Sequence, residues 1–390
     1  MSSISTTSVR FPNLAKPTKL GALSLRNRTI MASMARNRAV PASFPSDAMA
    51  TFYAQRAGPS GAGLVLTDAT MVSPQGTEWG TSPGLWTEEH AKAWKKVTDA
   101  VHQQGGLIMV QLYHVGRCGH PDMPIHKLSG QPLWAPSAIA ARGGQFRDLP
   151  GEPGYPTPTP IPDPTVILDE FTHAAKMAIL AGFDGVELHC ANGYLVDQFL
   201  SDTANFRTDK WGGSVENRVR FGLEAVRRLI EVWGADRVGA KVSPAGGYND
   251  SYHTTPESRV ETYKTFITEL DALNLAYIQI AGYNAWGDPK HGGVPQGYPH
   301  DMIETYGPLI KKSKLIVNQD YDGESAEKVV KEGKAEAVVF ARNYIANPDY
   351  YKRIEEGIPL NASHMETWYP TGTNLGVGYT DYPFAPEVLA

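Results

Sequence analysis

Cysteine is almost missing from this chain: Cys118 and Cys190 are the only two among 390 residues. Two thiols cannot staple a protein of this length, and their separation matches no metal-ligand spacing, so a disulfide scaffold and a cysteine metal site are both excluded. Cys190 reads as a buried structural thiol rather than a nucleophile. Long apolar runs are missing too, since no stretch approaches the roughly 18 residues of a membrane helix. The start, Met1 to Val9, is rich in Ser and Thr and has no apolar core of a secretory signal. Net charge is small, −5, with acidic and basic residues interspersed, which leaves no footprint for nucleic acid or an anionic membrane. No internal repeat marks a solenoid. What remains is an ordinary globular composition, 42% hydrophobic and 20% charged, expected in the cytoplasm with a small molecule as its partner and no metal.

What is present is alternation. Strand-like runs at 64–67, 107–112, 185–189, 238–243, 276–280, 315–318 and 337–340 are separated by helical segments, among them 88–104 with Thr87 as N-cap, 215–233 and 256–273. With a short strand at Thr29 ahead of them, eight strands are joined by helices. That α/β pattern predicts a single (β/α)8 TIM barrel over residues 16–390, although spacing alone also admits a doubly wound sheet. Residues 1–15 are expected to be a flexible tail and 18–28 an N-terminal hairpin. After the third strand, residues 113–164 form a long Gly- and Pro-rich loop insertion, expected to cap the mouth.

The stretch Gly185-Val186-Glu187-Leu188-His189-Cys190-Ala191-Asn192-Gly193-Tyr194 carries the chemistry. His189, Asn192 and Tyr194 follow the end of an apolar strand, where a barrel gathers its reactive groups. A His and an Asn three residues apart also occur as an ordinary loop end. Beside a phenol, however, they make a set that holds a carbonyl or phenolate oxygen while Tyr194 gives or takes a proton.

This stretch, continued through Ser201–Asp209 and Trp211–Arg218, resembles the old yellow enzyme family of FMN-dependent reductases, and Lys241–Asp250 resembles its fungal branch. The resemblance spans most of the chain. It implies a barrel with FMN over its mouth, NADPH or NADH as reductant, and reduction of the C=C bond of an enone or enal, in fungal secondary metabolism, by a monomer or homodimer. His189 and Asn192 would hold the substrate carbonyl and Tyr194 would be the acid. By the same resemblance Ser33, Met34, Ala35, Ala69, Gln111 and Lys241 would surround the flavin ring, and Asn318, Gln319, Asp320, Ala341 and Arg342 its phosphate. Tyr113, Tyr283 and Trp286, near His114 and Asn284, would face the substrate.

Five positions depart from the family pattern. Ala35 stands for a Thr that bonds the ring, Gln319 and Asp320 replace the glycines of a phosphate loop, and Ala341 replaces its companion glycine; Lys241 stands for an Arg. Asp320 would set a carboxylate near a phosphate. The alternative expectation is therefore a flavin-independent relative that performs a redox-neutral isomerisation or cyclisation with the same His189, Asn192 and Tyr194.

Overall fold

A computed structural model describes residues 9–77, 79–144, 149, 154–370 and 372–386. Eight parallel strands close into a barrel: β1 (Thr29–Met31), β2 (Leu64–Met71), β3 (Ile108–Tyr113), β4 (Gly185–Cys190), β5 (Val238–Val242), β6 (Tyr277–Ala281), β7 (Lys314–Asn318) and β8 (Ala337–Phe340), with β8 paired to β1. β3, β4, β5 and β6 are buried at every position, which is why they read as short apolar runs rather than alternating ones. The (β/α)8 barrel is the architecture the alternation predicts. A helix follows each strand: α1 (Asp47–Ala57), α2 (Glu88–Gln103), α3 (Thr165–Leu180), α4 (Val215–Trp233), α5 (Pro256–Ala272), α6 (Met302–Tyr306), α7 (Gly323–Lys331) and α8 (Tyr350–Glu356).

Local chemistry sets the ends of these helices. Thr87 caps α2 by accepting from His90 N, and Ser214 and Thr255 cap α4 and α5 in the same way. α4 stops at Gly234, which takes the left-handed φ of 76° that a side chain would resist. α1 was not foreseen from the sequence. Its buried face carries Arg56 among Met49, Phe52 and Tyr53, so the apolar stripe that announces a helix is interrupted.

The hairpin, Thr18–Leu20 paired with Leu23–Leu25, plugs the barrel floor with Leu20, Leu23 and Leu25 against Ile30, Leu64, Met109 and Ile316. Part of the expected tail is packed instead. Phe11 and Leu14 are buried, and Glu327 accepts from the backbone N–H groups of Asn13 and Leu14, so order begins well before residue 16. Residues 1–8 lie outside the described residues. The insertion after β3 is tied over the mouth: Arg117 and Arg142 both pair with Asp250, in the loop after β5, and Tyr155 donates to Asn249. Among the described residues no helix is long and apolar enough to cross a membrane.

Candidate active site

Above the apolar floor the barrel interior turns polar. Register places His189 on β4, Lys241 on β5 and Gln279 on β6 at one level. Gln111 on β3 pairs in register with Glu187 on β4, and its Nε2 donates to Glu187 Oε1 over 2.6 Å. Glu187 is wholly buried, which pushes its carboxyl pKa up, while the Lys241 charge pulls the other way. Burial lowers Lys241 in turn, offset by Glu187. Neither sits comfortably alone, and each is the other's nearest compensation.

His189 is 4% exposed, and burial, with the Lys241 charge added, holds its pKa well below the ordinary imidazole range. It is a neutral ring. Its Nδ1 accepts from the backbone N–H of Ala191 at 3.2 Å, so the proton of the neutral ring belongs on Nε2. Nε2 donates to no described residue and remains an uncharged donor.

The turn after β4 is built to present the next two side chains. Gly193 has φ 72°, and a Cβ there would lie 2.7 Å from the carbonyl oxygen of Asn249, so only glycine fits. Asn192 is also left-handed, at φ 61°. Its backbone is spoken for, the N–H donating to Ser243 Oγ at 2.8 Å and the carbonyl accepting from Asn249 Nδ2 at 3.1 Å, while its carboxamide bonds to no described residue. Tyr194 is 8% exposed and lies edge-on to His189, ring centroids 5.1 Å apart, and edge-on to Tyr113 at 5.3 Å. Beneath the turn, Asp197 accepts from Gly193 N at 2.7 Å, from Ser251 Oγ and from the phenol of Tyr263, which locks the loop from inside. His189 and Tyr194 thus lie ring against ring, with Asn192 on the turn between them in sequence.

The opposite side of the mouth is different. A cavity of about 270 Å³ is bounded by Met34 and Ala35 after β1, by Asn318, Gln319 and Asp320 after β7, by Ala341 and Arg342 after β8, and by Trp286. It does not reach His189. The link between the two sides is Ser33 Oγ, which donates to Gln111 Oε1 at 2.8 Å; Ala69 lies beside Gln111 across the β2–β3 register, just past a bulge. Gln319 and Asp320 take φ of 107° and 55°, values that a glycine adopts freely and these residues do not. Arg342 Nη2 lies 3.0 Å from Asp320 Oδ1.

Of the expected substrate residues, Trp286 lines the cavity, whereas the Tyr283 phenol donates to Asp288 at 2.7 Å, a bond that pushes its pKa up to about 12. Several lining groups were not foreseen. Trp368 and Tyr369 wall the cavity from the C-terminal segment, which Arg36 and Arg38 hold by its carbonyls: Arg36 Nη2 donates to Gly378 O at 2.7 Å and Arg38 Nη1 to Trp368 O at 2.8 Å. Gln279 was also missed, although an amide inside the run Tyr277-Ile278-Gln279-Ile280 was the available signal. Both its side-chain polar atoms are buried and bond to no described residue. An interior with an orphaned amide, Gln279, and the buried Lys241 ammonium, which bonds to no described residue, fits a ring rich in carbonyl and ring-nitrogen acceptors, so the residues present fit a flavin.

The model of the NADH:flavin oxidoreductase / NADH oxidase family matches residues 13–361. A protein named "Probable inactive dehydrogenase easA" from Claviceps fusiformis is 36% identical over 387 residues, covering 97% of this chain and 96% of its own length. A "Probable flavin mononucleotide-dependent alkene reductase" from Leishmania infantum is 34% identical over 386 residues, covering 95% and 97%. Among solved structures, the old yellow enzyme homologue of Zymomonas mobilis superposes with a TM-score of 0.84 at 35% identity, over 95% of this chain and 99% of that one.

Proposed function

Since this chain belongs to the NADH:flavin oxidoreductase / NADH oxidase family, whose cofactors are FMN and a nicotinamide reductant, we propose that it reduces the C=C bond of an α,β-unsaturated carbonyl compound. The observation that carries this reading is the neutral His189, whose Nε2–H bonds to no described residue, set edge-on to Tyr194. Bound FMN supplies hydride transfer, which no side chain can supply. Gln111, Lys241, Ser33, Met34, Ala35 and Ala69 would hold the ring, and Asn318, Gln319, Asp320, Ala341 and Arg342 the tail.

The chain's own residues do the rest. His189 Nε2–H and the Asn192 carboxamide donate to the substrate's carbonyl oxygen and strengthen as negative charge gathers there. Tyr194 gives its phenol proton to the α-carbon, so that hydride and proton together saturate the double bond. Lys241 contributes a fixed positive charge beside the ring, stronger for being buried. Tyr113 and Trp286 favour a flat, largely apolar enone or enal. The enzyme would work in the cytoplasm on such a metabolite.

A second reading is redox-neutral isomerisation or cyclisation by the same three side chains, and the pairing of Arg342 with Asp320 is the observation that favours it. The test separates the half-reactions. Flavin-loaded protein is reduced anaerobically with NADPH or NADH, and cyclohexenone or cinnamaldehyde is then added. Return of the oxidised flavin spectrum with formation of the saturated product is expected; a flavin that stays reduced with both acceptors would overturn the proposal.

A further inference from the structure

The side of the mouth at the ends of β7 and β8 carries its own anion. Loops after the seventh and eighth strands of such barrels are where phosphate groups are commonly bound. Of the two arginines bounding the cavity there, Arg36 is 1% exposed: its Nε and Nη2 donate to the carbonyls of Trp368 and Gly378, and its Nη1 is buried away from solvent with no partner among the described residues. Arg342, its side chain 49% exposed, is therefore the cation left for an anionic ligand among the described lining residues. It already has one. Asp320 Oδ1 lies 3.0 Å from Arg342 Nη2, and Asp320 Oδ2 accepts from Gln319 Nε2 at 3.1 Å, so each carboxylate oxygen has a donor. The backbone that delivers this carboxylate is held at two consecutive positive φ values. Such conformations in non-glycine residues mark positions that the surroundings over-determine.

We propose that Asp320 is a specificity-determining residue of the flavin site, an internal occupant of the anion position that a phosphate must displace from Arg342. The proposal rests on the reading that this mouth binds a flavin. A flavin ending in phosphate would trade one anion for another at Arg342 and meet Asp320 as a like charge, whereas riboflavin, which ends in a hydroxyl, would leave the pair intact. The site therefore discriminates weakly between FMN and riboflavin.

The test titrates flavin-stripped protein with FMN and with riboflavin, following flavin fluorescence, for wild type, Asp320→Asn and Arg342→Gln. In wild type the two dissociation constants should lie within about tenfold of each other. Asp320→Asn should tighten FMN about tenfold and leave riboflavin unchanged, and Arg342→Gln, which leaves Asp320 without its cation, should weaken FMN about tenfold and leave riboflavin unchanged. An unchanged ratio in Asp320→Asn, or a wild-type preference for FMN of about a thousandfold, would overturn the proposal while leaving the flavin reading intact. If no protein binds either flavin, the flavin reading falls and this proposal with it.

Discussion

The two sides of the barrel mouth are built on different principles. On the β4–β5 side, His189 and Tyr194 are nearly buried, and the turn that presents them is locked by Asp197, itself 1% exposed, with three donors on its carboxylate. On the β7–β8 side, the loops meet through an ion pair whose side chains are 66% and 49% exposed, over a backbone held at unfavourable φ. A buried network of that kind cannot lose a member without leaving an unpaired polar group, at about 1–3 kcal/mol each. An exposed pair contributes about 0–1 kcal/mol. The proposed acid–base side is thus held by a buried network, and the proposed anion side by an exposed pair.

The sharpest way to break this comparison is Tyr194→Phe. The substrate half-reaction should slow about a hundred- to ten-thousandfold while flavin reduction by the nicotinamide is unchanged, in stopped-flow records of the two steps. An undiminished substrate step would remove Tyr194 from the acid role. His189→Ala should cost about a hundred- to thousandfold in the same step, as loss of one preorganised donor does. Because His189 is held well below 6.5, the substrate step should show no ionisation of this ring between about pH 5 and 8. A loss of rate on acidification centred near 6.5 and abolished by His189→Asn would contradict the neutral-donor assignment.

Acid should act on the buried side through stability. Burial lowers His114 to about 3, from 6.5 in the unfolded chain. The unfolded state therefore takes up the proton first, and this group's contribution to stability is lost as pH falls from about 6.5 towards 3, by about 1.4 kcal/mol per pH unit. His114→Gln is expected to be less stable at pH 7 but to close the gap with wild type on acidification, in urea denaturation at a series of pH values. A constant gap would refute the assignment. The smallest effect belongs to the exposed side: Gln319→Gly should stabilise the fold by about 1 kcal/mol through relief of its positive φ, measured in the same assay. A destabilised variant would mean that the loop's backbone is not strained.

Much of the barrel was legible because its strands are buried on both sides and announce themselves as apolar runs. The proposed triad drew attention because three polar residues crowd the end of one such run. What escaped notice has physical causes. The helix Leu195–Leu200 has six residues, all buried, so it carries no amphipathic period. The roof formed by Trp368 and Tyr369 depends on Arg36 and Arg38 reaching carbonyls more than 300 residues away, and no local pattern encodes such a bond. Phe11 and Leu14 looked like a tail because two apolar residues among Ser, Thr, Asn and Lys give no period, yet both are buried. The phosphate-loop departures were visible as letters, whereas the pairing of Asp320 with Arg342 needed the fold.

The central claim is that this mouth holds a flavin despite those departures. The visible absorption spectrum of the purified protein, before and after incubation with excess FMN and removal of free cofactor, tests it most directly. A retained flavin band close to one per chain is the predicted result. A spectrum without that band after reconstitution would contradict the account and move the function to flavin-free acid–base chemistry by His189, Asn192 and Tyr194.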